Sequence, residues 1–214
     1  MIKIAPSILA ADPLCLGRDA ERAAEAGCDW IHVDVMDAHF VPNLAYTPET
    51  VRHLKKIVSV PLDVHLMMDH PETLLDAFLQ AGADIVTIHA EISADISAVL
   101  ERIHAAGAAA GIALKPGTPA ETVLPYFKKA DMILAMTVEP GFGGQKLDDR
   151  VLDKIRKLRK MGYTGEIEAD GGIREDNLQA LADCGLTVAV MGTALFRSED
   201  MAASIMRLHA MGRK

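Results

Sequence analysis

Residues 29–35, DWIHVDV, form a short apolar run of the kind that becomes a β-strand. His32 and Asp34 are two residues apart, so both side chains point to the same face of that strand. Two similar runs carry two further polar residues: VPLDVHLM at 60–67 with His65, and GEIEAD at 165–170 with Asp170. Two imidazoles and two carboxylates converging from three strands predict a divalent-metal site. Two carboxylates near one metal also suit removal and return of a proton beside a carbonyl group.

Around these runs, short β-branched segments alternate with longer segments of helical period. Strands are predicted near 2–8, 30–35, 61–67, 84–89, 110–114, 131–137, 166–169 and 187–191. Helices are predicted near 14–26, 48–58, 71–81, 93–107, 119–128, 147–161, 175–184 and 199–211. Proline stands at several predicted helix starts, and glycine follows several predicted helix ends.

This alternation predicts an α/β protein in which one domain, residues 1–214, closes into a (β/α)8 TIM barrel. An open doubly wound sheet is the alternative, and the even spacing of the elements favours the barrel. In the barrel, all four metal-site residues lie toward the carboxyl ends of their strands, where barrel enzymes carry their active sites. The segment 36–47 is longer than a usual strand-to-helix connection, which favours a functional loop.

Composition excludes several classes of function. The chain has 214 residues and a formal net charge of −8, and it has no long run of Lys and Arg, so we expect neither a nucleic-acid nor a membrane partner. No segment has 18 unbroken apolar residues, and the N-terminus does not resemble a signal peptide. The three cysteines, Cys15, Cys28 and Cys184, are scattered without a CxxC motif. Such spacing is typical of free thiols in a reducing cytoplasm.

Glycine-rich segments follow the last three predicted strands. They are Pro140–Gln145 (PGFGGQ) after strand 6, Asp170–Ile173 (DGGI) after strand 7 and Gly192–Ala194 (GTA) after strand 8. Glycine lets backbone N–H groups approach an anion, and barrels often bind phosphate at this place. The segments therefore predict a phosphate site after strands 6–8.

Several single residues have two interpretations. Met36, Met67 and Met136 end inner strands and either fill the core or form an apolar floor under a reactive intermediate. Ser7 ends strand 1 and either binds a substrate hydroxyl or caps a turn. His89 ends strand 4 as a fifth candidate. Lys115 ends strand 5, where a Schiff base is conceivable and a solvated or ion-paired lysine is favoured.

Over nearly its whole length, the chain resembles the ribulose-phosphate 3-epimerase family. The stretches that carry the resemblance are APSILAAD, HVDVMDAHFVPN, LDVHLM, MTVEPGFGGQK, EADGGI and GTALF. The resemblance implies a homo-oligomeric (β/α)8 barrel with one divalent metal ion, Zn, Fe, Mn or Co, bound by His32, Asp34, His65 and Asp170. It places the two catalytic acid/base carboxylates on Asp34 and Asp170. It places substrate contacts on Ser7, His65, Gly141, Phe142, Gly143, Gly144, Gly171, Gly172, Gly192 and Thr193.

Some positions depart from the family pattern. Ala38 stands where the family usually has Gly, Leu147 replaces a usual Phe, and Thr193 replaces a usual Ser. None of these changes removes an acid, a base or a ligand. Ala38 would affect loop 36–47 if that position needs a positive φ.

The implied reaction interconverts D-ribulose 5-phosphate and D-xylulose 5-phosphate. Asp34 would remove the C3 proton on one face, and Asp170 would return a proton on the other, through a metal-stabilised cis-enediolate. An allulose-6-phosphate 3-epimerase would use the same chemistry. A sugar-phosphate lyase or decarboxylase would need a lysine beside the carboxylates, in a D-x-K-x-x-D pattern that the strands lack. A non-catalytic sugar-phosphate-binding barrel is the remaining alternative.

Overall fold

The computed structural model describes residues 1–211, and within them eight parallel strands form a closed ring. The strands are β1 (Lys3–Pro6), β2 (Ile31–Asp37), β3 (Leu62–Met67), β4 (Ile85–His89), β5 (Ala109–Leu114), β6 (Met132–Met136), β7 (Glu166–Asp170) and β8 (Val188–Met191). Each strand from β2 to β8 pairs with the next, and β8 pairs with β1. A parallel bridge between Ser7 and His32 joins β1 to β2. The predicted (β/α)8 barrel is confirmed, and the open sheet is wrong.

Helices surround the ring. They are α1 (Leu16–Glu25), α2 (Pro48–Ile57), α3 (Leu75–Ala81), α4 (Ile96–Ala105), α5 (Arg150–Lys160), α6 (Glu175–Asp183), α7 (Thr193–Phe196) and α8 (Met201–Met211). The local sequence determines where α2 begins. Pro48 is the first helical residue, and the Thr47 and Thr50 side chains cap each other's backbone N–H groups. A predicted glycine stop is confirmed at Gly82, which follows α3 with φ of +100°.

Two predicted helices differ from the structure. The segment predicted as a helix over 119–128 is a 3-10 helix at Ala120–Tyr126, so the α-helix prediction is wrong there. Pro125 lies inside it, lacks an N–H and disfavours the α conformation of the residue before it. The helix predicted over 71–81 divides into a 3-10 turn at Pro71–Thr73 and the α-helix α3.

Successive residues of each strand point alternately toward the surrounding helices and toward the barrel interior. Ile31, Val33 and Val35 of β2 are buried in the large apolar cluster between sheet and helices. His32, Asp34 and Met36 take the opposite face, toward the barrel interior. The same alternation in β3 and β7 sends His65 and Asp170 inward, so the sheet itself brings the polar residues together.

The long segment after β2 folds back on its own strand. Residues Leu44–Ala45 form a two-residue strand antiparallel to Met36–Asp37. The Asp37 carboxylate accepts the backbone N–H groups of His39 and Phe40, each at 2.8 Å, which fixes the turn. Ala38 has φ of +61° in this turn, so the position does need a positive φ. In the described part of the chain, no helix has the length and apolarity needed to cross a bilayer.

Candidate active site

Four predicted ligands meet at the carboxyl ends of β2, β3 and β7. One donor atom from each of His32, Asp34, His65 and Asp170 lies within 4.8 Å of the other three. His32 Nε2 and His65 Nδ1 are each 3.3 Å from the same oxygen, Asp34 Oδ1. Two imidazole nitrogens and two carboxylates form a set that suits a divalent transition metal, so the residues present fit such an ion.

His32 is oriented by a carboxylate that lies deeper in the barrel. Its Nδ1 is 2.6 Å from Asp63 Oδ2, and both side chains are fully buried. Because Asp63 accepts a hydrogen bond there, His32 presents Nε2 to the ligand cluster. The sequence reasoning missed Asp63. The available signal was its position two residues before His65, on the same face of β3.

Glu168 lies below Asp170 in the barrel and was also missed. Its Oε1 is 3.8 Å from His32 Nδ1, and neither carboxyl oxygen has a hydrogen-bond partner among the described residues. Burial and then the neighbouring Asp63 raise the pKa of Glu168 well above its ordinary value. Burial and the neighbouring negative charge therefore favour the neutral form of this carboxyl.

His89, the fifth candidate, contacts a ligand rather than joining the ligand cluster. Its Nε2 lies 2.9 Å from His65 Nε2, and its Nδ1 lies 3.0 Å from Glu91 Oε2. The imidazole is fully buried. Burial, together with the nearby His65, lowers the pKa of His89 to about 4, so the ring is neutral at pH 7.

The two catalytic candidates differ in their proton affinity. Burial acts to raise the pKa of Asp34, but His32 and His65 outweigh it and lower that pKa below its ordinary range. The Ser7 hydroxyl donates to Asp34 Oδ2 at 2.7 Å and also favours the carboxylate. Burial and then the negative charge of Asp34 raise the pKa of Asp170 to about 7. One carboxyl is thus a ready base, while the other holds a proton near neutral pH.

A cavity of about 690 Å³ opens above these carboxyls. Its walls include residues of every predicted group: Ser7, Asp34, Met36, Met67, Met136, Gly141, Phe142, Gly143, Gly144, Asp170, Gly171, Gly172, Gly192 and Thr193. His32 and His65 are fully buried beneath it. Arg174 and Arg197 also line the cavity and were missed by the sequence reasoning, although Arg174 directly follows the DGGI segment. The volume suits a small phosphorylated sugar.

Two glycines of the loop after β7 lie where an added Cβ atom would not fit. Gly172 has φ of +63°, and a Cβ atom there would lie 2.4 Å from the backbone nitrogen of Leu147. Gly171 has φ of +117° and is equally crowded, by Val138. Side chains would push these loops apart, so glycine is needed for the cradle.

The remaining candidates are placed as follows. Met36, Met67 and Met136 are all buried and line the cavity. Met36 and Met67 are register partners on adjacent strands, and Met136 is the register partner of Asp170. Lys115 Nζ lies 3.9 Å from the centre of the Phe40 ring, in a groove between loop 36–47 and the loop after β6. That position favours a cation–π contact over a Schiff base.

The chain was compared with known proteins. Residues 3–196 match the model of the ribulose-phosphate 3 epimerase family. A ribulose-phosphate 3-epimerase of Mycobacterium tuberculosis is 46% identical over 209 residues, which is 96% of this chain and 90% of the relative. One from Bacillus subtilis is 40% identical over 210 residues, covering 96% of this chain and 97% of the relative.

A solved structure described as KGPDC from Streptococcus mutans has a TM-score of 0.77 at 14% sequence identity. The match covers 100% of this chain and 98% of that one. At this identity the likeness supports the barrel fold alone. The family model and the relatives go further, because both extend over most of the chain: it belongs to the ribulose-phosphate 3-epimerase family.

Proposed function

We propose that this enzyme interconverts D-ribulose 5-phosphate and D-xylulose 5-phosphate. The observation that carries the proposal is the pair Asp34 and Asp170, which line one cavity and have pKa values shifted in opposite directions. The names of the relatives support the substrate assignment. A base and an acid in one site are what inversion at a single carbon requires.

The chemistry follows from these two groups. The C3 proton of the 2-ketose is acidic because the neighbouring C2 carbonyl takes up the electron pair when the proton leaves. The Asp34 carboxylate removes this proton on one face, and the protonated Asp170 donates its own proton to C3 on the other. The configuration at C3 is thereby inverted, and the reverse reaction exchanges the two roles.

We propose His32, Asp34, His65 and Asp170 as ligands of one divalent ion, Zn, Fe, Mn or Co. When bound, such an ion supplies Lewis-acid stabilisation of the negative charge that develops on the substrate oxygens. Ser7 holds Asp34 in place through its hydroxyl group. The buried methionines Met36, Met67 and Met136 exclude water from the carbon skeleton.

The far end of the substrate is proposed to sit in the glycine loops. The phosphate contacts are assigned to Gly141, Phe142, Gly143, Gly144, Gly171, Gly172, Gly192 and Thr193. Backbone N–H groups there bind the phosphate and position C3 between the two carboxyls. His65 is proposed to touch the substrate as well as the metal.

We also propose a domain organisation, a cellular compartment and an assembly state for this protein. Residues 1–214 act as one domain, and the protein works in the cytoplasm, where its three free cysteines stay reduced. It forms a homo-oligomer, as the family resemblance implies. Light scattering after gel filtration tests the assembly, and a monomer at micromolar concentration would contradict it.

The test of function is reconstitution. The purified protein is stripped with a chelator, reloaded with each of the four ions and assayed with D-ribulose 5-phosphate by following xylulose 5-phosphate. We expect activity only after reloading, and a higher kcat/KM than with D-allulose 6-phosphate. A higher kcat/KM for the six-carbon substrate would reassign the enzyme to that ketose. Binding without turnover of either would make the chain a sugar-phosphate-binding protein.

A further inference from the structure

A row of buried and partly buried polar side chains leads from His65 away from the cavity. It runs from His65 Nε2 to His89 Nε2 at 2.9 Å, then from His89 Nδ1 to Glu91 Oε2 at 3.0 Å. The other Glu91 oxygen, Oε1, accepts the backbone N–H of Lys115 at 2.9 Å and the hydroxyl of Thr118. The proposed mechanism uses neither His89 nor Glu91.

With a metal ion on His65 Nδ1, the hydrogen-bond donors of this row have one consistent assignment. Glu91 is a carboxylate, because its hydrogen bonds with His89 and Thr118 outweigh burial and lower its pKa to about 2. A carboxylate only accepts, so His89 Nδ1 carries the proton. His65 Nδ1 must offer its lone pair to the proposed metal ion, so the proton of a neutral His65 lies on Nε2 and is donated to His89 Nε2. The unprotonated Nδ1 lies 3.3 Å from Asp34 Oδ1, within the ligand cluster.

The opposite tautomer would fail at both ends of the row. His89 Nδ1 would direct a lone pair at the Glu91 carboxylate. His65 Nδ1 would carry a proton into the ligand cluster, where it could not bind a metal ion. A doubly protonated His89 would place a second cation beside a site for a divalent cation.

The loop that binds Glu91 is held in place by a lysine from helix α5. Lys154 of α5 donates from Nζ to the carbonyl oxygens of Lys115 at 2.5 Å and Pro116 at 3.0 Å. The same segment supplies the N–H and hydroxyl groups that bind Glu91. The row therefore ends on a loop that is fixed to the barrel wall.

We propose that His89 and Glu91 are positioning residues that fix His65 as the Nε2–H tautomer and so present its Nδ1 to the metal. This inference rests on the proposed metal site, and it concerns how one ligand is prepared rather than which reaction follows. His89 is fully buried, and in this proposal it acts through His65 rather than by contact with the substrate.

The sharpest variant is Glu91→Gln. The Lys115 N–H requires an acceptor at the Oε1 position, so the amide oxygen must lie there and the NH2 group must face His89 Nδ1. That reverses every donor in the row and makes His65 the Nδ1–H tautomer. Glu166→Gln is the matched control. Glu166 is a half-buried carboxylate paired with Lys3 at 2.5 Å, and it lies at the start of β7, at the opposite end of that strand from Asp170.

Two measurements read the outcome. Nitrogen-15 NMR of histidine-labelled, metal-free protein reports which ring nitrogen of His65 is protonated, with the signals assigned by a His65→Gln variant. Competition with a chelator gives the Kd for Co²⁺. We expect Nε2–H in wild type and in Glu166→Gln. In Glu91→Gln we expect Nδ1–H and a Co²⁺ Kd raised about 10- to 100-fold.

A second pair of variants keeps the test decisive if Glu91→Gln does not fold. His89→Gln offers a side-chain oxygen that can accept the His65 Nε2–H, whereas His89→Leu cannot. We expect Co²⁺ affinity within a few-fold of wild type for His89→Gln and a 10- to 100-fold loss for His89→Leu. An unchanged His65 tautomer in Glu91→Gln, or equal losses in the two His89 variants, would overturn the proposal. If the tautomers are as expected but the enzyme shows no turnover, the proposed reaction, and not the role of His89 and Glu91, would be contradicted.

Discussion

Two aspartates at the mouth of the barrel differ because of what surrounds each of them. Asp34 lies beside His32 and accepts the hydroxyl of Ser7, and both neighbours favour its charged form. Asp170 is partly buried with no side-chain hydrogen bond of its own among the described residues, and it lies near the charge of Asp34. Position, rather than residue type, therefore decides which carboxyl accepts and which one donates a proton at neutral pH.

This difference predicts how metal binding depends on pH. A protonated Asp170, whose pKa is raised to about 7, binds a metal ion more weakly than its carboxylate does. Lowering the pH from 8 to 6 moves the carboxyl from mostly ionised to mostly protonated, so the apparent affinity falls by up to about 10-fold. Calorimetry in buffers of different ionisation enthalpy should show proton release on binding. A pH-independent affinity would contradict the assignment of Asp170 as a ligand.

Ala38 predicts a gain in stability from a single substitution. Its φ of +61° is unfavourable for a side chain with a Cβ atom and free for glycine. Ala38→Gly should raise the free energy of unfolding by up to about 1 kcal/mol, measured by urea denaturation. Ala45→Gly, in the neighbouring short strand, is the control and should destabilise the protein. Destabilisation by Ala38→Gly would show that the turn does not retain its left-handed conformation in solution.

At the scale of elements, the loops after β6 and β7 support each other through glycine. Gly172 packs against the backbone of Gln145 and Leu147, which belongs to the loop after β6. Gly172→Ala should separate the two loops and lower kcat/KM about 10- to 100-fold, mainly through KM, because the phosphate loses its position. Steady-state kinetics measures this effect.

Gly17→Ala is the control for that substitution. Gly17 lies in α1, where an added Cβ would meet only the side-chain tip of Ile57 at 3.2 Å. We expect its kcat/KM to stay within two-fold of wild type. Equal kinetics for the two variants would mean that the loops do not form the phosphate site.

Sequence periodicity predicts elements well where one pattern dominates. The alternation of residues around His32 and His65 predicted both the strands and the inward direction of these two side chains. The α-helix predicted over 119–128 was wrong, because the helical pattern was followed there and the effect of Pro125 was not considered. The proline lies inside what is a 3-10 helix. Asp63 and Glu168 escaped notice because a polar residue inside a barrel is recognised by its partners, and those come from other strands.

At the scale of the whole molecule, barrel closure brings distant residues into one site. His32 and Asp170 are far apart in sequence, yet their donor atoms lie within 4.8 Å. The alternation of elements predicted the ring, and the polar residues at the ends of its strands were predicted to meet, as His32, Asp34, His65 and Asp170 do. The hydrogen-bonded row behind His65 could not be read from the sequence, since its geometry depends on β3, β4 and the loop after β5 together.

A metal ion held from β2, β3 and β7 should stabilise the entire barrel. Metal at 100 times its Kd adds about 2.7 kcal/mol to the free energy of unfolding, because it binds only the folded state. We expect calorimetry to show a higher Tm with Co²⁺ and a return to the original value with excess chelator. His65→Gln is the control and should show little shift at the same Co²⁺ concentration. An unchanged Tm for wild type would contradict a tight site of four ligands.

In the proposed reaction, two different carboxyls act on opposite faces of C3. To test this, the metal-loaded protein is started on D-ribulose 5-phosphate in D₂O, and C3 is followed by NMR at early times. We expect deuterium at C3 of the xylulose 5-phosphate before it appears in the remaining substrate. We also expect loss of product formation in Asp34→Asn and Asp170→Asn variants shown to retain metal. Product that keeps the substrate's own hydrogen at C3 would contradict the two-carboxyl mechanism.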